Sequence, residues 1–339
     1  MASSADAKVP ANRPCCICGG TESRLVHEKE YPLYDYPGAF ALRLCDGCGL
    51  LFNSPRLADE GIARLYGANY YFFRQRPARE FLRIREMWER TVAVAEGMVP
   101  RREVLEIGSA KGFLLAVMQG AGWAVQGVEL SPFAADFARD RLGVPTFTGR
   151  VEEFVEAGGR SYPLVLAIDV IEHVLDPRLF VASLARLVET GGVVLIDTPN
   201  GAAANIERQG ERWKGFNPFH VFLFSVENLS RLLGEHGFTV ETSFSYGNAP
   251  AGPGEPPEPT SGARRLARAV LEGAGVLGLL RRGRDTVVDA VDHARLPRLV
   301  RESVEAVRPS RGYAASEDSR LPLAEGQRGD NIVVIARRR

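Results

Sequence analysis

The sequence predicts an α/β protein: a seven-stranded, mostly parallel sheet with helices on both faces, preceded by a small cysteine-bearing module. Three observations carry that expectation. From Arg101 onward, apolar runs of strand length alternate with helical patterns, as in parallel strands joined by crossover helices. At the head of that region Val104 to Leu115 reads VLEIGSAKGFLL, an apolar run, a glycine turn and an apolar helix, the entry unit of a nucleotide-binding α/β domain. All five cysteines of the 339-residue chain lie between residues 15 and 48.

Bulk composition bounds the rest. Charged residues make up 25% and hydrophobic residues 45%, enough apolar material for a sizeable core. Lys plus Arg and Asp plus Glu balance at 42 each, so no global field favours nucleic acid or an anionic membrane. The first residues, MASSADAKVPANRP, carry no apolar signal core, and no apolar run reaches the roughly 18–20 residues that span a bilayer. A reducing, cytoplasmic setting is expected, with the cysteines holding something other than disulfides.

The cysteines fall as Cys15-x-x-Cys18 and Cys45-x-x-Cys48, with glycine after each second cysteine. Two residues between thiolates present both sulfurs to one ion, and four sulfurs complete a closed tetrahedral zinc shell. The spacing therefore predicts structural zinc on Cys15, Cys18, Cys45 and Cys48, with Cys16 outside the set. A cluster of reduced thiols is the bland alternative. Between the knuckles, YPLYDYPGAFALRLC reads as a hairpin arm. A short helix over Ala58–Tyr66 and an aromatic cluster (Tyr66, Tyr70, Tyr71, Phe72, Phe73) follow, as interdomain packing or as a pocket lining. Phe81, Ile84, Trp88, Val92 and Ala95 share helical spacing, so residues 76–100 read as a connecting helix between an amino-terminal module (1–75) and a core (101–247).

Within the core, strands are expected at Val104–Ile107, Ala124–Val128, near Val144–Phe147, at Leu164–Ile168, at Val193–Asp197 and at Thr239–Phe244, with a last strand at Asn331–Ala336. Helices are expected at Gly112–Ala121, Pro132–Leu142, Pro177–Val188 and Val226–His236, with Ser131 as N-cap before Pro132. Acids stand at the carboxyl ends of the second and fourth strands, Glu129 and Asp169, and Glu106 lies within the first. Ligands of open α/β sheets sit outside those ends. Glu129 is placed to accept both hydroxyls of a ribose. The turn carries small residues at Gly108, Ala110 and Gly112 rather than the spacing that rests a pyrophosphate on a helix N-terminus, which favours a ligand without phosphate.

The combination E-x-G-x-(G/A)-x-G, an acid after the second strand, and the run DVIEHV after the fourth resembles class I S-adenosylmethionine-dependent methyltransferases, over about residues 101–247 and 330–336. The segment CxxCG…CxxCGLLFNSPR…LYGANYYF is similar to a zinc-binding module that precedes some of these enzymes in sugar and secondary-metabolite pathways. The resemblance implies a Rossmann-like fold in which Glu106 and the Gly108–Gly112 turn, Ser109 included, hold the methionine part of S-adenosylmethionine. It implies Glu129 on the ribose, Val151 at the adenine, Asp169 closing the site, and a last strand antiparallel to strand six. The insertion Asn248–Asp330 interrupts that last hairpin, and Pro163 stands where the family more often shows an acid. A nicotinamide-dependent oxidoreductase and a non-catalytic zinc and cofactor-binding module are the alternatives.

Methyl transfer is an in-line displacement, and an acceptor that must lose a proton is helped by a base. His173, after the fourth strand, is a candidate base or a loop-holding hydrogen-bond donor. His220, in WKGFNPFHVFLFSVENL, resembles the base-bearing segment of deoxysugar C-methyltransferases, but Asn217 and Phe219 replace the Tyr and Glu found there. Trp213, Phe216 and Phe219 read as pocket walls or as core. The expected acceptor is a small molecule. Residues 248–329 read as a proline-rich linker and a basic helical insertion, whose helix over Ala263–Gly283 is a candidate cover for the site, membrane-surface element or oligomer contact.

Overall fold

In the computed structural model the described residues are 8–9, 14–31, 36, 38–58, 61, 76–247, 294–307 and 328–339. The aromatic cluster at 66–73 and the helix expected at 263–283 lie outside them, as does all but the start and residue 61 of the helix expected at 58–66. The amino-terminal strands are β1 (Lys8–Val9), β2 (Ser23–Glu30), β3 (Ala39–Cys45), β4 (Leu51–Asn53) and β5 (Arg56–Leu57), followed by α1 (Pro77–Ala95). The core continues with β6 (Glu103–Ile107), α2 (Phe113–Gly120), β7 (Ala124–Glu129), α3 (Pro132–Leu142), β8 (Thr146–Thr148), α4 (Val151–Glu156) and β9 (Tyr162–Ile168). Then come α5 (Pro177–Leu187), β10 (Val188–Pro199), α6 (Ala204–Gln209), β11 (Phe222–Leu223), α7 (Val226–Glu235) and β12 (Phe238–Tyr246). A helix α8 over 294–306 and strand β13 (Asn331–Arg338) complete the described chain.

Seven strands form one sheet in the order β12-β13-β10-β9-β6-β7-β8, parallel except for β13, which is antiparallel to both neighbours. Strand residues alternate between two cores, as a period of two requires. Val104, Leu164, Leu166, Val193 and Leu195 face α1, α2, α3 and α8, where Phe81, Trp88 and Phe113 stack. Leu105, Val165, Ala167, Val194 and Ile196 face α4, α5 and α7. The sequence reverses direction between β6 and β9, so the carboxyl ends of those two strands open a crevice at the switch point.

Most expected elements fall within a residue or two, and the differences have physical reasons. Strand β9 begins at Tyr162, so Pro163 lies inside it, where the β9–β10 register shifts between Val188 and Val193 and the missing amide is tolerated. Ser131 occupies the N-cap of α3, but its side chain makes no cap bond; its amide instead donates to Glu129. The hairpin arm is built from β2 and β3, and β2 shows no period-two apolar pattern that would have announced it. Helix α1, expected as a connector, packs Phe81, Trp88 and Val92 into the sheet core. The amino-terminal sheet, in the order β11-β4-β3-β2, takes its edge strand from residues 222–223.

Despite the inserted segment, β12 and β13 meet as a hairpin would, with Tyr246 opposite Asn331. Asp330 then ties the insertion's exit to the core, accepting from Trp213 Nε1 at 2.9 Å and from Asn205 Nδ2 at 3.1 Å.

Candidate active site

The residues expected to hold a cofactor stand at or after the carboxyl ends of β6, β7, β8 and β9. Glu106 is the fourth residue of β6 and is buried, with neighbours Gly127 on β7 and Leu166 on β9. The turn after it adopts φ values of 74° at Gly108 and 73° at Gly112, and Ala110 (47°) and, across the crevice, Asp169 (52°) also stand in the left-handed region. A Cβ at Gly108 would come within 2.5 Å of Val170 Cγ2, so glycine is required there both by conformation and by space. Left-handed non-glycine residues are costly and concentrate where a ligand site imposes them.

Two buried atoms in this crevice, Glu106 Oε2 and Ser109 Oγ, have no hydrogen-bond partner. Such groups are few in folded proteins and point to a ligand that satisfies them. Burial, with the charge of Glu129 adding to it, pushes the Glu106 carboxyl up to about 8. Glu129 ends β7 and accepts the Ser131 amide at 2.8 Å on Oε1 and the Ala110 amide at 2.9 Å on Oε2. Burial raises it all the same. It is therefore an organiser of the turn, and a carboxylate with two amide bonds keeps lone pairs for two hydroxyl donors. Val151 opens α4 and is buried, and Asp169, which follows β9 and keeps an exposed surface, has its carboxyl raised to about 6 by burial among its neighbours.

An ion pair that the sequence did not announce anchors the turn. Lys111 Nζ lies 2.5 Å from Glu80 Oε2 of α1, and both side chains are 1% exposed. Lys111, within the turn, points away from the crevice into the helix-covered side. No local pattern links Lys111 to Glu80, because α1 precedes the sheet by a turn of unremarkable sequence.

Next to the crevice lies a pocket of about 330 Å³. Its floor holds His173 and His220, whose ring centroids are 5.0 Å apart. Trp213, Phe216 and Phe219 line it and are at the same time buried in the third apolar cluster with Phe40 and Leu51, so the same rings serve as cavity lining and as core. Lys29, Arg212 and Lys214 line it, and among the described residues no carboxylate does. Lys29 and Tyr31 arrive from the amino-terminal segment, a contribution that sequence reading missed and that had no local signal. His173 Nδ1 is 2.9 Å from the Phe219 carbonyl and His220 Nδ1 2.8 Å from that of Gly215. Burial lowers His173 to about 4 and, helped by its neighbour His173, His220 to about 3, so both rings are neutral at pH 7 and weakly basic. Glu172, in the DVIEHV run but given no role from sequence, is buried beside them and raised well above its ordinary value, first by burial and then by Asp169.

The four cysteines also converge. Cys15 Sγ and Cys48 Sγ are 3.6 Å apart, Cys18 Sγ and Cys45 Sγ 3.5 Å, and all four ligand atoms lie within 4.8 Å of one another. Four sulfurs about 2.3 Å from one tetrahedral ion stand about 3.8 Å apart, so the set has the dimensions of a metal shell. The Cys16 side chain is outside it, while its carbonyl accepts from Arg178 Nε of α5 at 2.7 Å. Asn228 of α7 donates to the Cys48 carbonyl at 2.9 Å, which seats the second knuckle on the same face.

The sheet with its switch-point crevice, orphaned carboxylate and left-handed turn defines a class I S-adenosylmethionine-dependent methyltransferase domain. The chain belongs to that family: the family model described as "Methyltransferase domain" matches residues 71–243. This decides against the nicotinamide reading. The chain is 33% identical over 130 residues, 37% of its own length and 54% of the other's, to a ubiquinone biosynthesis O-methyltransferase of Thiobacillus denitrificans. It is 30% identical over 141 residues, 41% of its length and 53% of the other's, to a probable S-adenosylmethionine-dependent methyltransferase of Mycolicibacterium smegmatis. The chain thus spans about half the length of the curated relatives it matches. Among solved structures, a SAM-dependent methyltransferase from Archaeoglobus fulgidus aligns over 80% of this chain and 100% of its own at 15% identity and a TM-score of 0.47.

Among the described residues no helix is long and apolar enough to cross a membrane.

Proposed function

We propose that this protein transfers a methyl group from S-adenosylmethionine to a small-molecule acceptor, a sugar, nucleotide-sugar or natural-product intermediate, bound in the pocket over His173 and His220. One observation carries the reading: Asp169 follows β9, the strand beside β6 and its unpartnered Glu106 Oε2, and His173, four residues further on, lines the pocket, so one short segment runs from the crevice to the pocket. The cofactor supplies an electrophilic methyl on a sulfonium. The chain's part is to hold and orient: Glu106 and Ser109 take the amino-acid end, Glu129 the ribose and Val151 the adenine. Trp213, Phe216 and Phe219 exclude water around the acceptor, and positioning of this kind supplies much of the rate in a displacement. With no ion bound, the neutral and weakly basic rings of His173 and His220 accept a hydrogen bond from the acceptor. Cys15, Cys18, Cys45 and Cys48 hold a structural zinc ion that fixes the amino-terminal wall of the pocket.

Calorimetry with S-adenosylhomocysteine tests the first assignment. Micromolar binding that weakens in Glu129→Ala is expected, and absence of binding to the wild-type protein would remove the proposal. Zinc is tested by metal analysis of protein purified without chelators. About one equivalent, lost in Cys18→Ser, is expected; less than half an equivalent would contradict it.

A further inference from the structure

Glu172, His173 and His220 bring one carboxylate and two imidazoles together, with their ligand-capable atoms all within 4.8 Å of one another. The backbone sets this convergence. The amides of Val221 and Phe222 donate to the Glu172 carbonyl at 2.7 and 3.2 Å, which clamps the His220 segment onto the Glu172–His173 turn.

The geometry differs from that of an ordinary buried polar cluster. Glu172 is fully buried; its Oε2 accepts from Thr198 Oγ1 at 2.9 Å, but its Oε1 has no hydrogen-bond partner. A carboxylate oxygen buried without a donor is costly unless something else satisfies it. His173 Nε2 stands 3.6 Å from that oxygen. Two ligand atoms about 2.1 Å from a shared tetrahedral ion are about 3.4 Å apart, close to this spacing. Both rings are held at Nδ1 by backbone carbonyls, those of Phe219 and Gly215, at 2.9 and 2.8 Å. Metal-bound histidines are oriented by such a bond from the other ring nitrogen. Asn217 Nδ2, 3.3 Å from His220 Nε2, is the neighbour that an entering ion would turn aside.

We propose that Glu172, His173 and His220 form a second metal site, which holds a divalent first-row cation through one carboxylate and two imidazoles. Mixed nitrogen and oxygen donors suit zinc, cobalt, iron and manganese rather than calcium. Three protein ligands leave a coordination position open, and the pocket lined by Lys29, Trp213 and Asn217 is where it opens. The site takes an acceptor oxygen, whose proton is released more readily once the oxygen is bound to the cation. In transfer the hydroxyl proton passes to solvent, the methyl–sulfur bond breaks, the methyl–oxygen bond forms, and sulfur leaves as a neutral thioether. That last step rests on the methyltransferase reading; the metal site itself does not.

Chelator-treated full-length protein titrated with Co²⁺ and followed by absorption tests the site. Two equivalents are expected. One shows intense thiolate-to-cobalt charge transfer from the four cysteines, and the other only weak visible bands of a nitrogen and oxygen site. His220→Phe, which keeps a ring in the pocket, and Glu172→Gln should each lose the second equivalent and keep the first, with melting curves confirming that the variants fold. Should Glu172→Gln unfold, His220→Phe decides. Cobalt uptake confined to the thiolate site in the wild type, or a second equivalent that persists in His220→Phe, overturns the proposal. S-adenosylhomocysteine calorimetry on the same sample separates the readings. Cofactor-product binding without the second cobalt ion sinks the metal site alone, and the second cobalt ion without that binding sinks the methyltransferase reading alone.

Discussion

Every residue assigned to the cofactor crevice comes from the carboxyl half of a parallel strand or from the segment directly after one: Glu106 and Ser109 from β6, Glu129 from β7, Val151 from the turn into α4, Asp169 from β9. The pocket proposed for the acceptor is assembled from His173, a loop over residues 212–220, and Lys29 and Tyr31 of the amino-terminal segment. The first region is fixed by local chain geometry and by the sheet's alternation. The second depends on two sheets docking through β11 and on a cysteine cluster seated against α5 and α7. On the proposed reading, the methyl donor occupies the locally defined geometry of the strand ends, whereas acceptor selection falls to the assembled wall.

Substitutions can break this contrast. The largest effect is expected at the Lys111–Glu80 pair under the turn. Glu80→Ala would leave Lys111 buried without its counter-charge, and losses of about 3–5 kcal/mol accompany such changes. Chemical denaturation should show that drop, with much of it recovered in the apolar double variant Glu80→Met, Lys111→Met. Single and double variants of equal stability would mean that the pair does not hold the turn.

Glu129→Ala comes next. It removes two amide acceptors from the turn and the expected ribose contact, so affinity for S-adenosylhomocysteine should fall by about 2 kcal/mol, roughly thirtyfold. Undiminished affinity in calorimetry would contradict its role.

The pH dependence follows from Glu106, whose carboxyl lies at about 8 in the fold against an ordinary 4.5. The folded state holds the extra proton, so this group's contribution is fully present below about 4.5 and is lost as pH rises through about 8. Ligand-free protein should therefore lose stability across that window, and Glu106→Gln should flatten the slope in melting experiments. An ammonium-bearing ligand favours the ionised form, so its binding at pH 7 should release a proton in the wild type and none in Glu106→Gln; calorimetry in buffers of different ionisation enthalpy reads this directly.

The smallest change is on the pocket side. Lys214→Ala should raise KM for an anionic acceptor by a few-fold, on the scale of about 1 kcal/mol for an exposed charge, and leave cofactor affinity unchanged. A parallel loss of cofactor affinity would show that crevice and pocket are not separable.

The sequence carried the crevice well because its signals are short-range. Glu106, Gly108 and Gly112 fall within seven residues of chain, and a strand followed by a tight turn admits few geometries. The acids at 129 and 169 were readable because a carboxyl end of a strand is a defined place in an open sheet. Glu172 escaped assignment although it sits beside His173, because its significance lies in being buried with one oxygen unpaired. Strand β2 escaped because its residues, SRLVHEKE, are half exposed and polar, and pairing with β3 rather than their own pattern makes them a strand.

By itself, then, the sequence determined the alternation of strands and helices, the glycine turn, the acids at the strand ends and the paired cysteine knuckles. Each of these is set by interactions within a few residues or by a repeat with a fixed period. Only the tertiary structure decided that Lys111 turns inward to Glu80, that β11 closes the amino-terminal sheet, and that His173 and His220 lie 5.0 Å apart over Glu172. Those contacts join segments far apart in the chain, and their energies come from burial and charge pairing that exist only once the surfaces have met.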